Sequence, residues 1–473
     1  MLAQVQAAQA NAAGGSQHAA TLRLLSVQVL PPQPLQLQLR AGMPMALPGD
    51  MWSAITGVLL IIELTRRVAG LALVIIAAVF VAYAFAGPWL PGIFEHRGYD
   101  VKRFFSYIFT DNGVLGAPIA ISSTYIILFV VFAAFLQTTR VGEYFVNLAF
   151  AAAGHRRGGP AKVAIFASGL MGMINGTSAG NVVATGSLTI PMMKKVGYRN
   201  QTSAAVEAAA STGGQIMPPI MGAGAFVMAE FTKTSYGDIV WMALVPALLY
   251  FLSVLLHVHV LAVKNGFQGM QGQSGAWRVL LDGLHFLLPL LLITALLLWN
   301  YSPLLVGVAG SAAVLLASLL RTHTRIGLSQ LIEGLRQGAM LAVSISVACA
   351  VAGLVVGTIG QTGIGLQFTE SVVALSGGQL WLALVLVAIA ALVLGMGLPA
   401  TAAYIVLAVM TGPALQELGL ALITAHMIIF WLAQSSNVTP PIALAAFAGA
   451  GVAGAAPMQS AVEAVKLASG LFI

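Results

Sequence analysis

The sequence predicts an all-α integral membrane protein made of two repeated halves, each interrupted by a broken helix. Three observations lead there: a charge-poor composition, long uncharged apolar runs, and landmarks that recur at a constant spacing. Of the 473 residues, 59% are hydrophobic and 7% are charged, against about 25% charged in an average soluble protein. So few charges cannot cover a water-facing surface, and most of the surface must meet lipid. Val68 to Gly87 runs 20 residues without a charge and Gly338 to Gly360 runs 23, where about 20 apolar residues span a bilayer core as a helix. Lipid leaves only helices or closed barrels to satisfy the backbone. No segment alternates with the two-residue period of barrel strands, so the segments are read as helices.

Taken in order, residues 1–50 are rich in Gln, Ala, Leu and Pro and hold no spanning run. They read as a disordered or mis-started N-terminal segment, with Met43, Met45 and Met51 as alternative starts. No basic start leads into an apolar stretch, so they are not read as a signal peptide. Apolar segments follow at 54–64, 68–87, 119–136, 144–153, 239–261, 284–299, 303–320 and 338–360. Ser371–Gln416 and Leu418–Val462 lack Asp, Glu, Lys and Arg throughout. The expected organisation is N-terminal helices over 51–118, a first repeat over 119–261, a linker over 262–278 and a second repeat over 279–473. The net charge of +7 comes from basic residues clustered in short connections, Arg66-Arg67, Arg156-Arg157 and Lys194-Lys195. That pattern suits cytoplasmic loops, and no nucleic-acid partner is expected. The single Cys349 excludes an intrachain disulfide framework.

The repeat rests on landmarks in common register. Gly172 matches Gly395, Pro191 matches Pro413, Gly197 matches Gly419, Thr202 matches Thr424, and Pro218-Pro219 matches Pro440-Pro441. The offset between partners stays the same along the whole stretch to within a single position. Each half has an apolar stretch broken by glycine and polar residues, Gly172–Asn181 in the first and Gly395–Thr401 in the second. Lys162 precedes the first break and Lys194 follows it. Basic residues at both ends place both on the cytoplasmic side, which a re-entrant hairpin near 163–193 satisfies and a single span does not. A matching hairpin is expected near 384–413. Glu417 stands where Lys195 stands in the first half, which fits copies of opposite orientation. Inverted repeats with broken helices are a design of secondary transporters. A break frees NH groups that attract an anion and carbonyls that coordinate a cation. Both must line a protein cavity rather than face lipid.

Four polar clusters could form that cavity. Asn175, Thr177, Ser178 and Asn181 lie on the first break, and Ser211, Thr212 and Gly214 precede the first Pro-Pro. Gly395, Gly397 and Thr401 lie on the second break, and Ser436, Asn437 and Thr439 precede the second Pro-Pro. Side-chain oxygens and freed carbonyls suit a hard cation such as sodium, with Asn175, Ser178, Thr401 and Asn437 as its candidate ligands. Hydroxyl, amide and NH donors suit a carboxylate. Helix packing alone explains the small-xxx-small pattern Gly172, Gly176, Gly180, but not the amides and hydroxyls beside it. Glu207 sits among alanines, either inside the membrane, where an ionisable group is a functional candidate, or at the interface near Arg199. Asp282 and His285 read as interfacial, and His257 with His259 as a weak metal pair. Gly176-Thr-Ser-Ala-Gly180 also matches the G-x-S-x-G nucleophile elbow, but no strand precedes it, so an intramembrane serine hydrolase is the least favoured reading. An ion channel is the other rival. No P-loop occurs, and no enzymatic activity, resident cofactor or structural metal is expected.

At both breaks the sequence resembles the large membrane subunit of TRAP (tripartite ATP-independent periplasmic) transporters, of the fused-permease type. The resemblance lies in Gly176–Val183, Thr189–Lys194, Glu207–Ile220, Gly395–Tyr404 and Val438–Leu444, and covers roughly residues 60–473. It implies a multi-pass elevator-type permease of the bacterial inner membrane that imports small organic anions, among them C4-dicarboxylates, keto acids and amino acids. It implies sodium as the coupling ion, a periplasmic solute-binding receptor, which for fused permeases is often of the TAXI type, and a small membrane subunit. By similarity, Asn175, Ser178, Asn181, Gly214, Thr401, Asn437 and Thr439 fall in the ion- and substrate-binding regions. Three departures stand out. Asn175-Gly-Thr replaces a common Ser-Gly-Ser pattern, the segment before residue 60 lacks the family's small-subunit helices, and the chain ends soon after Pro457, which reads as a truncated C-terminus.

Overall fold

The computed structural model describes residues 48–270, 275–321 and 324–472. The expected disordered segment therefore falls almost wholly outside the described residues, as does part of the expected linker. Among the described residues the chain is helical and contains no strand. In order, the helices are α1 (Pro48–Val68), α2 (Leu71–Ala86) and α3 (Val101–Ile108). Next come α4 (Ala117–Thr138), α5 (Val141–Ala153), α6 (Gly159–Gly172), α7 (Ser178–Lys195), α8 (Asn200–Gly214) and α9 (Gly224–Thr232). The chain continues with α10 (Tyr236–Asn265), α11 (Ala276–Asp282), α12 (Leu284–Leu298), α13 (Pro303–Ser318) and α14 (Leu328–Thr362). It closes with α15 (Ile364–Ser376), α16 (Leu380–Gly395), α17 (Ala400–Glu417), α18 (Leu422–Ser435), α19 (Leu444–Ala453) and α20 (Pro457–Leu467).

The helix boundaries themselves carry the repeat. Val141 and Ala153 stand at the repeat offset from Ile364 and Ser376, so α5 and α15 start and stop in register. Ser178 and Lys195 stand at that offset from Ala400 and Glu417, so α7 and α17 do the same. Both Pro-Pro bonds, Pro218-Pro219 and Pro440-Pro441, are cis. Each is followed by a short helix, α9 or α19. These two helices cross over: α9 packs on α17 and α18 of the second half, and α19 packs on α7 and α8 of the first. Each half thus completes the other.

At the centre, α4 and α14 lie against each other. Glycines permit the close approach: a methyl at Gly338 would sit 3.1 Å from the Val131 Cα, and one at Gly334 would sit 2.8 Å from the Phe135 ring. In a membrane such packing, rather than hydrophobic burial, holds helices together. A π turn at Ser122–Ile126 interrupts α4, and there Ser122 and Ser346 join hydroxyl to hydroxyl at 2.8 Å. Helices α4, α10 and α14, and α2 together with the turn that extends it to Trp89, are long and apolar enough to cross a membrane. The outer face of α10 shows what meets lipid, with Trp241, Leu248, Leu252, Leu256 and Val260 all exposed.

The hairpins differ from these spans. Helix α6 has 14 residues, about 21 Å at the α-helical rise, short of the ~30 Å hydrocarbon core. Helix α16 has 16 residues, about 24 Å. Each pairs with the helix that follows it, α6 with α7 and α16 with α17. The Ser168 and Thr185 hydroxyls meet across the first pair at 2.8 Å, so the chain turns back on itself at residues 173–177. The expected broken helices are therefore two helical hairpins.

Candidate functional site

The first hairpin tip is built by a cap. Thr177 leaves the helical conformation (φ −142°, ψ 139°), and its hydroxyl accepts from the Gly180 NH at 3.1 Å. This satisfies one of the free NH groups that open α7. Asn175 stays in the turn and links three elements. Its Nδ2 donates to Asn181 Oδ1 at 2.9 Å, its Oδ1 accepts from Gln137 Nε2 of α4 at 2.7 Å, and its carbonyl accepts from Gln215 Nε2 at 2.8 Å. Asn181 extends the chain inward, donating to the Ser168 carbonyl at 2.9 Å and to Ser211 Oγ at 3.1 Å. All of these side chains except Thr177 and Gln137 are buried. Buried amides need such partners, because an unmade bond costs about 1–3 kcal/mol.

The tip presses on the turn that precedes the first Pro-Pro. A methyl at Gly172 would lie 2.5 Å from the Gly214 Cα. The second half repeats the contact, where a methyl at Gly395 would lie 3.1 Å from Ser436 Cβ. Gly397 then turns the chain with φ 73°, a left-handed value that glycine adopts without penalty. A methyl there would strike Ala72 of α2 at 2.8 Å. Thr401 is buried in the first turn of α17. Ser436 Oγ donates to the Ala433 carbonyl at 2.8 Å and Thr439 Oγ1 to the Ser435 carbonyl at 2.7 Å. Asn437 Nδ2 donates to the Gln434 carbonyl at 3.2 Å.

Among the described residues, three buried polar atoms at these breaks have no hydrogen-bond partner: Ser178 Oγ, Thr212 Oγ1 and Gln434 Nε2. Thr212 and Gln434 are repeat partners, at equivalent places before the two Pro-Pro turns. Polar atoms held out of water without a protein partner are what a binding site for a polar ligand or ion presents.

The sequence-derived residues therefore divide into two clusters. Asn175, Asn181 and Ser211 share one network, with Ser178, Thr212 and Gly214 on the same break and turn. Gly395, Ser436, Asn437 and Thr439 gather at the second turn, with Gly397 and Thr401 on the second tip. Among the described residues no hydrogen bond joins the clusters, so the candidate sodium ligands Asn175 and Ser178 lie in one, and Thr401 and Asn437 in the other. Sequence reasoning missed Gln137, Ser168, Thr185 and Thr189. Asn181, Thr185 and Thr189 recur every four residues, a spacing that puts them on one helix face and could have been read. Gln137 closes the apolar run of α4 and also gave a signal.

Glu207 lies inside the bundle, fully buried, so of its two placements the interior one holds. The hydroxyls of Ser168, Thr185 and Thr189 all lie in hydrogen-bond contact with its carboxyl group. Asp282 is exposed, whereas His285 is buried. His257 and His259 do not converge: His259 Nδ1 meets Lys162 Nζ at 3.0 Å, while His257 Nδ1 meets the Ser253 carbonyl at 3.2 Å. Residues two apart do not face each other on a helix, which removes the metal pair. The G-x-S-x-G stretch is a helix cap, and its serine has no basic partner.

Comparison with known proteins agrees with this architecture. Residues 56–473 match the family described as "Tripartite ATP-independent periplasmic transporter, DctM component". The C4-dicarboxylate TRAP transporter large permease protein DctM of Pseudomonas aeruginosa is 28% identical over 332 residues, covering 69% of this chain and 76% of that protein. The isethionate TRAP transporter permease protein DctMQ of Oleidesulfovibrio alaskensis is 31% identical over 142 residues, 30% of this chain and 22% of that one. The ectoine/5-hydroxyectoine large permease protein UehC of Ruegeria pomeroyi is 29% identical over 120 residues, 25% of this chain and 28% of that one. Among solved structures, the YdaH transporter of Alcanivorax borkumensis superposes with a TM-score of 0.56 at 16% identity, covering 84% of this chain and 95% of that one. At that identity the likeness concerns the fold alone.

Proposed function

Because this chain belongs to the DctM family of TRAP transporter large permeases, we propose that it is a sodium-coupled permease of the bacterial inner membrane that imports small organic anions handed to it by a periplasmic receptor. Carboxylates such as C4-dicarboxylates, keto acids or amino acids are the substrate class, and the naming of the Pseudomonas relative for C4-dicarboxylates supports that choice. A TAXI-type receptor and a small membrane subunit complete the proposed assembly. The observation that carries the reading is the paired geometry of the breaks. In each half a hairpin glycine presses on the turn before Pro-Pro, and buried Ser178, Thr212 and Gln434 offer polar atoms that no protein group uses. The Ser178 and Thr212 hydroxyl oxygens suit sodium, whereas the Gln434 amide NH2 and the helix N-termini at the tips suit a carboxylate. In the proposed elevator motion the hairpins carry the bound solute past α4 and α14.

The energetics permit coupling without ATP. Each charge that crosses 100 mV releases about 2.3 kcal/mol, and tenfold accumulation of a solute requires about 1.4 kcal/mol. The test is uptake of labelled C4-dicarboxylates, keto acids and amino acids into liposomes holding this protein with its receptor and small subunit. Uptake should saturate with substrate and require an inward sodium gradient. Equal uptake with potassium and a proton gradient would remove sodium from the account, and flux that never saturates would favour a channel.

A further inference from the structure

All fourteen Asp and Glu residues of the chain lie among the described residues, and Glu207 alone is buried. Among the described residues it forms no ion pair. Ser168 of α6 and Thr185 and Thr189 of α7 surround its carboxyl group, and a methyl at Gly186 would touch its Cγ at 3.1 Å. The titratable groups of the other packed helices are engaged elsewhere or belong to other contacts. Lys162 meets His259, Lys194 donates to the Ala453 carbonyl at 3.0 Å, and Tyr250 donates to the Ala209 carbonyl at 2.8 Å. Glu463 and Lys466 of α20 make no hydrogen bond to Glu207. Helix α19 carries no titratable residue.

The repeat supplies a control for what the fold requires. At the matching positions of the second half, Ile429 replaces Glu207, Ala391 replaces Ser168, Leu407 replaces Thr185 and Ala403 replaces Asn181, while Thr411 keeps the hydroxyl of Thr189. The second half folds the same elements with no acid there, so the architecture does not require this acid. We propose that Glu207 is a proton-binding site whose occupancy is read at the first hairpin tip. The neutral acid donates its proton to Thr189 Oγ1. Thr189 then donates to the Thr185 carbonyl at 3.1 Å, and Thr185 to the Asn181 carbonyl at 2.8 Å. Loss of the proton to water leaves a carboxylate that draws all three hydroxyls to itself. Thr189 and Thr185 then withdraw from those carbonyls. Asn181 holds Asn175, and Asn175 holds Gln137, so the change reaches the tip through directly bonded groups.

The pH dependence of uptake rests on the transport function proposed above, whereas proton binding does not, and the test separates them. Infrared difference spectra of the full purified chain should show the carbonyl stretch of a protonated carboxylic acid at neutral pH, fading as the pH is raised. Glu207→Gln should remove that band, which assigns it to this residue. In liposomes, wild-type uptake should fall about tenfold per pH unit beyond the midpoint of that band, while the Glu207→Gln profile stays flat relative to its own maximum. Absence of the band from wild-type protein at neutral pH would overturn the proposal, a measurement that needs no variant to fold. So would a band that survives in Glu207→Gln, or identical pH profiles. A band with the expected titration in a protein that ignores sodium would leave the proton site standing and remove sodium coupling.

Discussion

At the level of single residues, glycine contacts and amide bonds make separable demands. Gly172→Ala forces a methyl to within 2.5 Å of backbone at Gly214, where neither side has a flexible chain to move. Overpacking of this kind costs about 1–3 kcal/mol. Gly451→Ala meets nothing within 4 Å and sits inside α19, where alanine gains up to about 1 kcal/mol over glycine. Thermal unfolding of the purified variants should therefore show a lower midpoint for the first and an equal or higher one for the second. Equal loss in both would mean that the break glycines are not close-packed. Much of this was legible in the chain: the glycine and Pro-Pro landmarks located both tips, and the amide pair Asn175 and Asn181 stood out in an apolar setting. The partners were not legible, because Gln137 is 38 residues from Asn175 along the chain and only tertiary packing brings them together.

For the helices, length and charge set the topology. The two arms of the first hairpin are too short and too closely paired to be independent spans, and their outer ends carry the basic residues. Arg157 and Lys195 are exposed at those ends, and the chain's own Cys349 is buried. Cysteines placed at Arg157 and Lys195 should react with a membrane-impermeant maleimide from one side only, and the same side for both. Labelling from opposite sides would convert the hairpin into a span. Hydropathy found the apolar stretches but not the crossing of α9 and α19 into opposite halves, since short Ala- and Gly-rich helices have no periodicity that names their neighbours.

Across the whole molecule, two interlocked halves surround the paired long helices α4 and α14. The first tip touches this pair twice: Gln137 of α4 bonds Asn175, and a methyl at Gly176 would lie 3.4 Å from Ile345 of α14. An elevator motion requires that contact to break. Cysteines at Gly176 and Ile345, joined by a short reducible bifunctional thiol reagent, should arrest uptake, with recovery on reduction. Full uptake by the cross-linked protein would show that the tip stays fixed against the long helices during transport.

The central claim is that both breaks hold the coupling cation, and sodium titration of receptor-dependent uptake in Asn175→Ala and Asn437→Ala tests it most directly. Each lost bond to a charged ligand costs about 1.5–3 kcal/mol, so the half-saturating sodium concentration should rise roughly tenfold to a hundredfold in both variants, with membrane insertion intact. Wild-type sodium affinity in both would contradict the account and leave the polar breaks as packing devices.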